Sequence, residues 1–299
     1  MPPETIEHKY TLVYFGDDTF AYAGRHQHEG EMPVHTHSFV ELAMVTRGTG
    51  VHHSLNGRHP LRAGDIVLLR PGVWHGYEQC RGLEVYNFCF SAELLRRELA
   101  WTRDDPLLGH LLWTGPYAER RRGILAMHLP VDDRGAYAGH LDAIAELRRR
   151  PQHRHRTDLI AQVMLALGCV ARRLDSDSSP EPMHPAVAEV MRRIEADPAR
   201  TWTLADLGDG LHLAPGYLVR VFKSVTGLPP MAFLSRHRVE LAAEMLLHTD
   251  RTVGAIAERV GWPDQNYFAR RFRAHYGLTA TEYRTRFTRA IEIGSWRSR

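Results

Sequence analysis

The sequence predicts a multidomain α+β chain with an N-terminal β-barrel, a helical middle and an all-α C-terminal third. Three observations predict it. Short Val, Leu, Tyr and Phe runs, broken by glycine-containing turns, fill residues 10–90. The polar, proline-punctuated stretch Asp175-Ser-Asp-Ser-Ser-Pro-Glu-Pro-Met-His-Pro185 has no apolar periodicity and reads as an exposed linker. The last third carries one helical unit twice. A chain of 299 residues accommodates two sizeable cores. The expected divisions are a barrel over 1–90, a helical region over 91–174, a linker over 175–184 and a two-unit helical domain over 185–289.

Within the barrel text, Gly48-Thr-Gly50, Asn56-Gly57, Ala63-Gly-Asp65 and Pro71-Gly72 read as turns, and Asn56-Gly57 is a strong two-residue hairpin signal. Side chains two apart on a strand share a face, so His35, His37 and Glu41 are expected to point one way. If that way is inward, His75 from a neighbouring strand completes a set of three imidazoles and one carboxylate. Such a set suits Fe(II), Mn(II), Ni(II) or Zn(II). It equally suits the polar lining of a ligand pocket, and the residues leave both readings open. His26, His28, His52 and His53 read mostly as surface groups, and Arg25, Trp74 and Tyr77 as candidates for helping to hold a small polar ligand.

In the middle region, Ala92–Leu99 and Tyr137–Arg150 are ordinary amphipathic stretches. Asp158–Leu174 is more informative, because Ile160, Val163, Leu167, Val170 and Leu174 recur at 3, 4, 3 and 4 residues, a short seam of coiled-coil type. The seam packs either on the barrel or on a second subunit. The run Arg148-Arg-Arg-Pro-Gln-His-Arg-His-Arg156 reads as a second anionic contact or, as is commoner for a charge run, a solvated loop.

The repeated unit appears first as Thr203 to Leu211 followed by Tyr217 to Lys223, closing at Gly227. It returns as Thr252 to Val260 followed by Tyr267 to Arg273, closing at Gly277. Each copy offers a Thr that can N-cap, a short helix, a turn, and a second helix bearing Tyr, Arg and Phe at matching places. Leu204, Leu207 and Leu211 correspond to Val253, Ile256 and Val260, and Phe222 to Phe272, as buried positions. Pro229–Leu247 reads as a stiff connecting helix with Met231, Leu234, Val239, Ala242 and Leu246 on its apolar side. Two helices joined by a short turn, the second one basic, form a helix-turn-helix that can enter a DNA major groove.

These residues resemble a known family. Gly261-Trp-Pro-Asp-Gln-Asn-Tyr-Phe-Ala-Arg-Arg-Phe-Arg-Ala-His-Tyr-Gly-Leu-Thr-Ala-Thr-Glu-Tyr-Arg284 is similar to the signature of the AraC/XylS transcription regulators, with motif-level likeness from Pro185 to Phe287. Two residues depart from the family pattern. Ala280 stands where Pro is usual and is expected to loosen a turn; Gly208 stands where Ala is usual, at a helix-propensity cost of roughly 1 kcal/mol. Likewise, His35 to Gly48 and Gly64 to His75 resemble the two motifs of the cupin fold, so the barrel is expected to be cupin-like. In cupin enzymes that four-residue set, here His35, His37, Glu41 and His75, holds the metal.

From helix geometry and this resemblance, the first unit is expected to present Ala214, Pro215, Gly216, Val219, Arg220 and Lys223 to DNA. The second is expected to present Asp264, Gln265, Asn266, Ala269, Arg270 and Arg273. Arg220 and Arg270 suit bidentate guanine contacts, Gln265 and Asn266 adenine edges, and Lys223 a phosphate. Residues 184–299 hold 17 Lys plus Arg against 12 Asp plus Glu, and residues 1–183 hold 21 against 23, as expected if only the C-terminal part faces phosphates.

The start, Met1-Pro-Pro-Glu-Thr-Ile-Glu-His, has neither a basic nor an apolar leader region, and no stretch is long enough to span a membrane. Cys80, Cys89 and Cys169 form no Cys-x-x-Cys pair, which leads to the expectation of a reducing cytoplasmic setting. The resemblance implies a homodimeric regulator, more often an activator, with double-stranded DNA, a small polar effector such as a sugar, and RNA polymerase as partners. The one cofactor expectation is a divalent transition metal in the barrel. A cupin metalloenzyme, an oxygenase or isomerase fused to a DNA-binding module, is the alternative from another class; the regulator reading assigns no catalytic residue.

Overall fold

The computed structural model describes residues 12–15, 20–118, 121–150, 155–174, 183–287 and 290–292, with 12–14 and 290–292 as backbone only. The N-terminal residues 1–11, the middle of the basic run at 151–154 and most of the expected linker, 175–182, lie outside the described residues.

Eight strands form the N-terminal sheet: β1 (Leu12–Tyr14), β2 (Ala21–His37), β3 (Phe39–Ser54), β4 (Gly57–Leu61), β5 (Asp65–Leu69), β6 (His75–Ser91), β7 (Ile124–His128) and β8 (Ala290–Glu292). Their order is β7-β5-β3-β6-β2-β1-β8, with β4 also pairing β3. Strand β1 runs parallel to β2 and to the edge strand β8, so the two ends of the described chain meet in one ladder. Strands β2, β3 and β6 are 16 or 17 residues long and curl through register shifts, which bend a strand and strengthen its twist.

One shift, between Val45 and Val51, corrects two expectations. Gly48-Thr-Gly50 is a bulge inside β3 and not a turn: Gly48 has φ 75°, and a Cβ there would lie 2.1 Å from Gly82 O. Beyond it the inward set changes parity. Ala43 and Val45 pack with Val67, Leu69 and Val85 in the barrel interior, whereas further on His52 is the buried residue. The following hairpin also sits one residue from its expected place, since Ser54 pairs with Gly57 and leaves Leu55 and Asn56 as the turn. Strand β7, antiparallel to β5, comes from the region read as helical, so the sheet continues past residue 90.

Helices α1 (Ala92–Arg96), α2 (Pro106–Gly109), α3 (Val131–Arg148) and α4 (Arg156–Ala171) belong to the middle region. Val40, Leu42, Met44, Phe88 and Phe90 of the sheet share a core with Tyr137, Leu141 and Ile144 of α3 and with Val163, Leu167 and Val170 of α4. The α4 seam is therefore filled within the chain: Val163, Leu167 and Val170 are fully buried, whereas Ile160 and Leu174 are only partly covered and Leu165 is exposed.

The C-terminal part comprises α5 (Pro185–Ala196), α6 (Leu204–Gly208), α7 (Pro215–Thr226), α8 (Pro230–His248), α9 (Val253–Arg259), α10 (Gln265–Tyr276) and α11 (Ala280–Arg286). Thr203 and Thr252 both N-cap, the first in a reciprocal box with Asp206. Gly227 and Gly277 end α7 and α10 at φ 75° and 73°, the left-handed geometry that suits glycine. Phe222 and Phe272 are fully buried. In α8, Leu234, Val239, Ala242 and Leu246 are buried as expected, but Met231, in the first turn, is 40% exposed. Ala280 opens α11 without loosening it, because a Thr279–Glu282 capping box holds the turn that Pro would otherwise preset.

Candidate nucleic-acid interface and sensor site

Helices α7 and α10 are the second helices of the two units, each 12 residues long. Each buries one stripe, Leu218, Phe222 and Thr226 in α7 and Phe268, Phe272 and Tyr276 in α10, and turns the opposite face outward. Ala214, Pro215, Gly216, Arg220 and Lys223 are exposed and Val219 is half-buried; Asp264, Gln265, Asn266, Ala269, Arg270 and Arg273 are all exposed. Arg220 lies 5.2 Å from the Tyr217 ring centre and Arg270 5.7 Å from that of Tyr267, so the repeat extends to how each guanidinium is supported. Asp264 is committed to the N-cap, accepting from Asn266 N and Tyr267 N at 2.9 and 3.1 Å. Gln265 folds back over α9, where a Cβ on Gly254 would meet its amide nitrogen at 2.6 Å.

The barrel interior gathers His37, Glu41 and His75, whose ligand atoms all lie within 4.8 Å of one another. His37 and Glu41 meet across the bend at Ser38 that separates β2 from β3, rather than along one strand. His37 Nε2 and His75 Nε2 stand 3.1 and 3.7 Å from Glu41 Oε2. Neither nitrogen has the alignment of a hydrogen bond, and Glu41 Oε1 has no partner. His37 Nδ1 donates to Phe39 O at 2.8 Å, which leaves its Nε2 lone pair facing Glu41. Burial pushes the Glu41 carboxyl up to about 8 and the His37 imidazole down to about 3, and His75 well below its ordinary value. Without a cation, this interior favours neutral forms.

His35 departs from the expected set. Its ring lies 4.4 Å from that of His75 and its Nδ1 faces Pro33 O, because β2 changes register between Met32 and His35. His26, His28 and His52, read from sequence as surface groups, are 4%, 8% and 2% exposed. The long strands carry them into the barrel, where His52 Nε2 lies 3.4 Å from His75 Nδ1. Tyr77 is buried beside them. Arg25 is exposed and pairs with Asp142, and Trp74 turns to the C-terminal domain.

Beside His52 opens a cavity of about 550 Å³, bounded by β4, β5 and β7 and lined by Ser54, Asn56, His59, Val67, Arg121 and Ile124 among others. None of His35, His37, Glu41 and His75 lines it; His52 is the link between cavity and triad. The sequence reasoning missed His52 and Arg121. The signal for His52 was the Gly48-Thr-Gly50 pair, read as a turn where a bulge inverts the alternation.

One residue, Gly72, bonds on one side to the backbone of the triad and on the other to the second unit. Gly72 N donates to His37 O at 2.8 Å, and Gly72 O accepts from Tyr283 OH at 2.7 Å. Trp74 Nε1 adds a bond to Tyr276 O at 3.1 Å. Gly72 has φ 80°, and a Cβ there would come within 3.0 Å of Tyr276 OH. Further along α8, Tyr117 OH donates to Glu240 at 2.8 Å and Arg236 donates to Tyr117 O at 2.5 Å. Arg103 pairs with Glu195 of α5.

Two family models match. An AraC-like ligand-binding domain covers residues 18–135 and a helix-turn-helix domain covers residues 207–286. The HTH-type transcriptional activator RhaR of Mannheimia succiniciproducens is 23% identical, over 88% of this chain and 91% of its own length. RhaR of Pectobacterium carotovorum is 26% identical, over 85% and 87%. Among solved structures, ToxT from Vibrio cholerae aligns with a TM-score of 0.54 at 13% identity, covering 90% of this chain and all of that one. Fold and site thus define a DNA-binding regulator of transcription, in which a cupin-like ligand-binding sheet is joined to two helix-turn-helix units. The chain belongs to the AraC family of transcription regulators.

Proposed function

We propose that this regulator is a cytoplasmic, homodimeric activator that reads two adjacent major-groove segments with α7 and α10 and responds to a small polar molecule, such as a sugar, held by the barrel. Residues 1–174 form the sensing part and 185–289 the reading part, joined by the linker at 175–184. The base-reading side chains are Arg220, Gln265, Asn266 and Arg270, with Lys223 and Arg273 at phosphates; Ala214, Pro215, Gly216, Val219, Asp264 and Ala269 shape the contact surface. RNA polymerase is the downstream partner. The side of α4 around the exposed Leu165 is the face left for a second subunit.

The observation that carries the reading is the backbone of Gly72, bonded through its N–H to His37 and through its carbonyl to Tyr283. It supports a mechanism in which occupancy of the barrel shifts how the sensor holds the second unit. A ligand can do this only by binding one arrangement more tightly than the other. DNA-binding anisotropy across operator variants, guided by a genome-wide binding map, tests the assignment. Arg270→Ala is expected to cost roughly 1–3 kcal/mol of discrimination at one base position, whereas Lys223→Ala weakens binding evenly. Equal loss of preference from both changes would overturn the base and phosphate roles.

The residues also fit a divalent transition metal. His37 Nε2, His75 Nε2 and Glu41 Oε1 are buried polar atoms without hydrogen-bond partners. The opposite nitrogen of each ring is near a group that can orient it, Phe39 O for His37 and His52 for His75. His37, Glu41 and His75 would hold the ion, with His35 packed alongside; the ion would supply the positive charge that lets Glu41 ionise. The metalloenzyme alternative is disfavoured, since these three side chains are at most 4% exposed. Metal analysis of purified protein, compared with His37→Ala, tests occupancy.

A further inference from the structure

We propose that the effector is a small organic acid whose carboxylate is received by Arg121 and His52, beside His59, in the groove between β4, β5 and β7. This rests on the reading that the barrel binds an effector, and it adds the chemical class.

The three side chains are brought together by the hairpin. His52 and His59 face each other as register partners of β3 and β4. Asn56, in the turn between them, takes a hydrogen bond from His59 Nε2 on its carbonyl at 3.1 Å and donates its amide to Arg121 O at 2.9 Å. Arg121 gives one N–H to Gly115 O at 3.0 Å, the one side-chain bond it makes among the described residues. A guanidinium has five N–H donors, so most of its fork remains for a ligand.

Anionic groups on the groove wall are scarce by comparison. Among the described residues, its only carboxylate is Asp65, and that group is engaged by His128 Nδ1 at 2.7 Å and by Arg62 N at 2.9 Å. The wall therefore presents a guanidinium with most of its donors unspent while its one acid is already paired, which favours an anion. A neutral sugar instead asks for an acceptor at most of its hydroxyls and often a flat ring to stack on. The wall offers no Phe, Tyr or Trp and instead presents aliphatic Leu61, Val67 and Ile124. A volume of about 550 Å³ suits a metabolite-sized acid with a short aliphatic or hydroxylated body.

The test uses the full chain and two pairs of probes matched in size and differing in charge, gluconate against glucitol and hexanoate against hexan-1-ol, followed by calorimetry. The expected result is that at least one acid binds roughly tenfold or more tightly than its neutral partner. Arg121→Gln is expected to weaken that acid roughly 10–100-fold, and Arg121→Lys to recover part of the loss, with the melting temperature of the free protein held as a control. Failure of both acids to bind overturns the proposal, as does a neutral partner that binds equally well. Ala126→Trp, which fills the groove, separates the two levels of the argument. A neutral probe that binds the natural protein but not Ala126→Trp keeps the barrel as effector seat and removes only the acid class. An acid that binds both Arg121→Gln and Ala126→Trp undiminished removes the seat itself.

Discussion

The two helix-turn-helix units are near copies in sequence, yet they differ in what surrounds them. Helix α6 is 5 residues and ends at Gly208, whereas its counterpart α9 runs 7. Leu207, Leu218 and Phe222 of the first unit share their apolar cluster with the helical layer over the sheet. Ile256, Phe268, Phe272, Tyr276 and Tyr283 of the second share theirs with the barrel interior. The second unit also holds more hydrogen-bonding groups on its exposed helix and both bonds to the Gly72–Trp74 loop. The repeat keeps the helices alike, and the different neighbours give the second unit alone the bonds to the sensor loop.

The sharpest way to break this comparison is to hollow each unit in turn. Phe222→Ala and Phe272→Ala are each expected to cost roughly 3–5 kcal/mol in denaturant melts. Hydrogen exchange should then rise in residues 70–74 for Phe272→Ala alone, because Phe272 packs on Tyr276 and Tyr283. Equal loosening of that loop by both changes would mean the units are coupled alike.

A smaller effect concerns acidity at the surface where α8 meets the sensor. His237 is pushed down to about 3 by burial and by Arg70, Arg96, Arg103 and Arg238, with Glu195, Glu240 and Glu244 lining the same crevice. Its ordinary value is 6.5, so its contribution is whole above that pH and is lost as pH falls toward 3. At pH 5 the loss amounts to about 2 kcal/mol, and His237→Gln should flatten the dependence of the melting temperature between pH 7.5 and 5.

Next comes Tyr283→Phe, which keeps the ring in its aromatic cluster and removes the hydroxyl that donates to Gly72 O and meets Thr36. It is expected to cost about 1 kcal/mol of stability and to reduce the change in DNA affinity that an effector produces. An unchanged response would remove this bond from the path. The smallest expected effect is a gain. Gly208→Ala should stabilise the first unit by up to about 1 kcal/mol from helix propensity, less the squeeze on Leu218 Cδ2 at 3.3 Å from the new methyl group, as read by thermal melting.

Much of this was legible in the sequence where a local rule sufficed. The N-caps at Thr203 and Thr252, the core phenylalanines 222 and 272 and the outward Arg220 and Arg270 follow from helical periodicity, which a single helix sets alone. The barrel was legible as a sheet but not in its parity. Alternation fails at Gly48, so His52 was placed outside when it is inside, and His35, grouped with His37, instead turns its Nδ1 to Pro33 O and its ring to His75. Strand β7 and the α4 seam depended on which surface was available for packing, which the residues themselves do not encode. Gly72 looked like a turn residue, and its two bonds involve partners 35 and 211 positions away, beyond any local pattern.

The Gly72 bridge has one more implication. Energetic linkage between two binding events has no preferred direction. If occupancy of the barrel alters grip on an operator through Gly72, the operator must alter affinity in the barrel by an identical factor. The duplex would then act as a regulator of its own regulator, and promoter-bound and free copies in one cell would sense different metabolite concentrations.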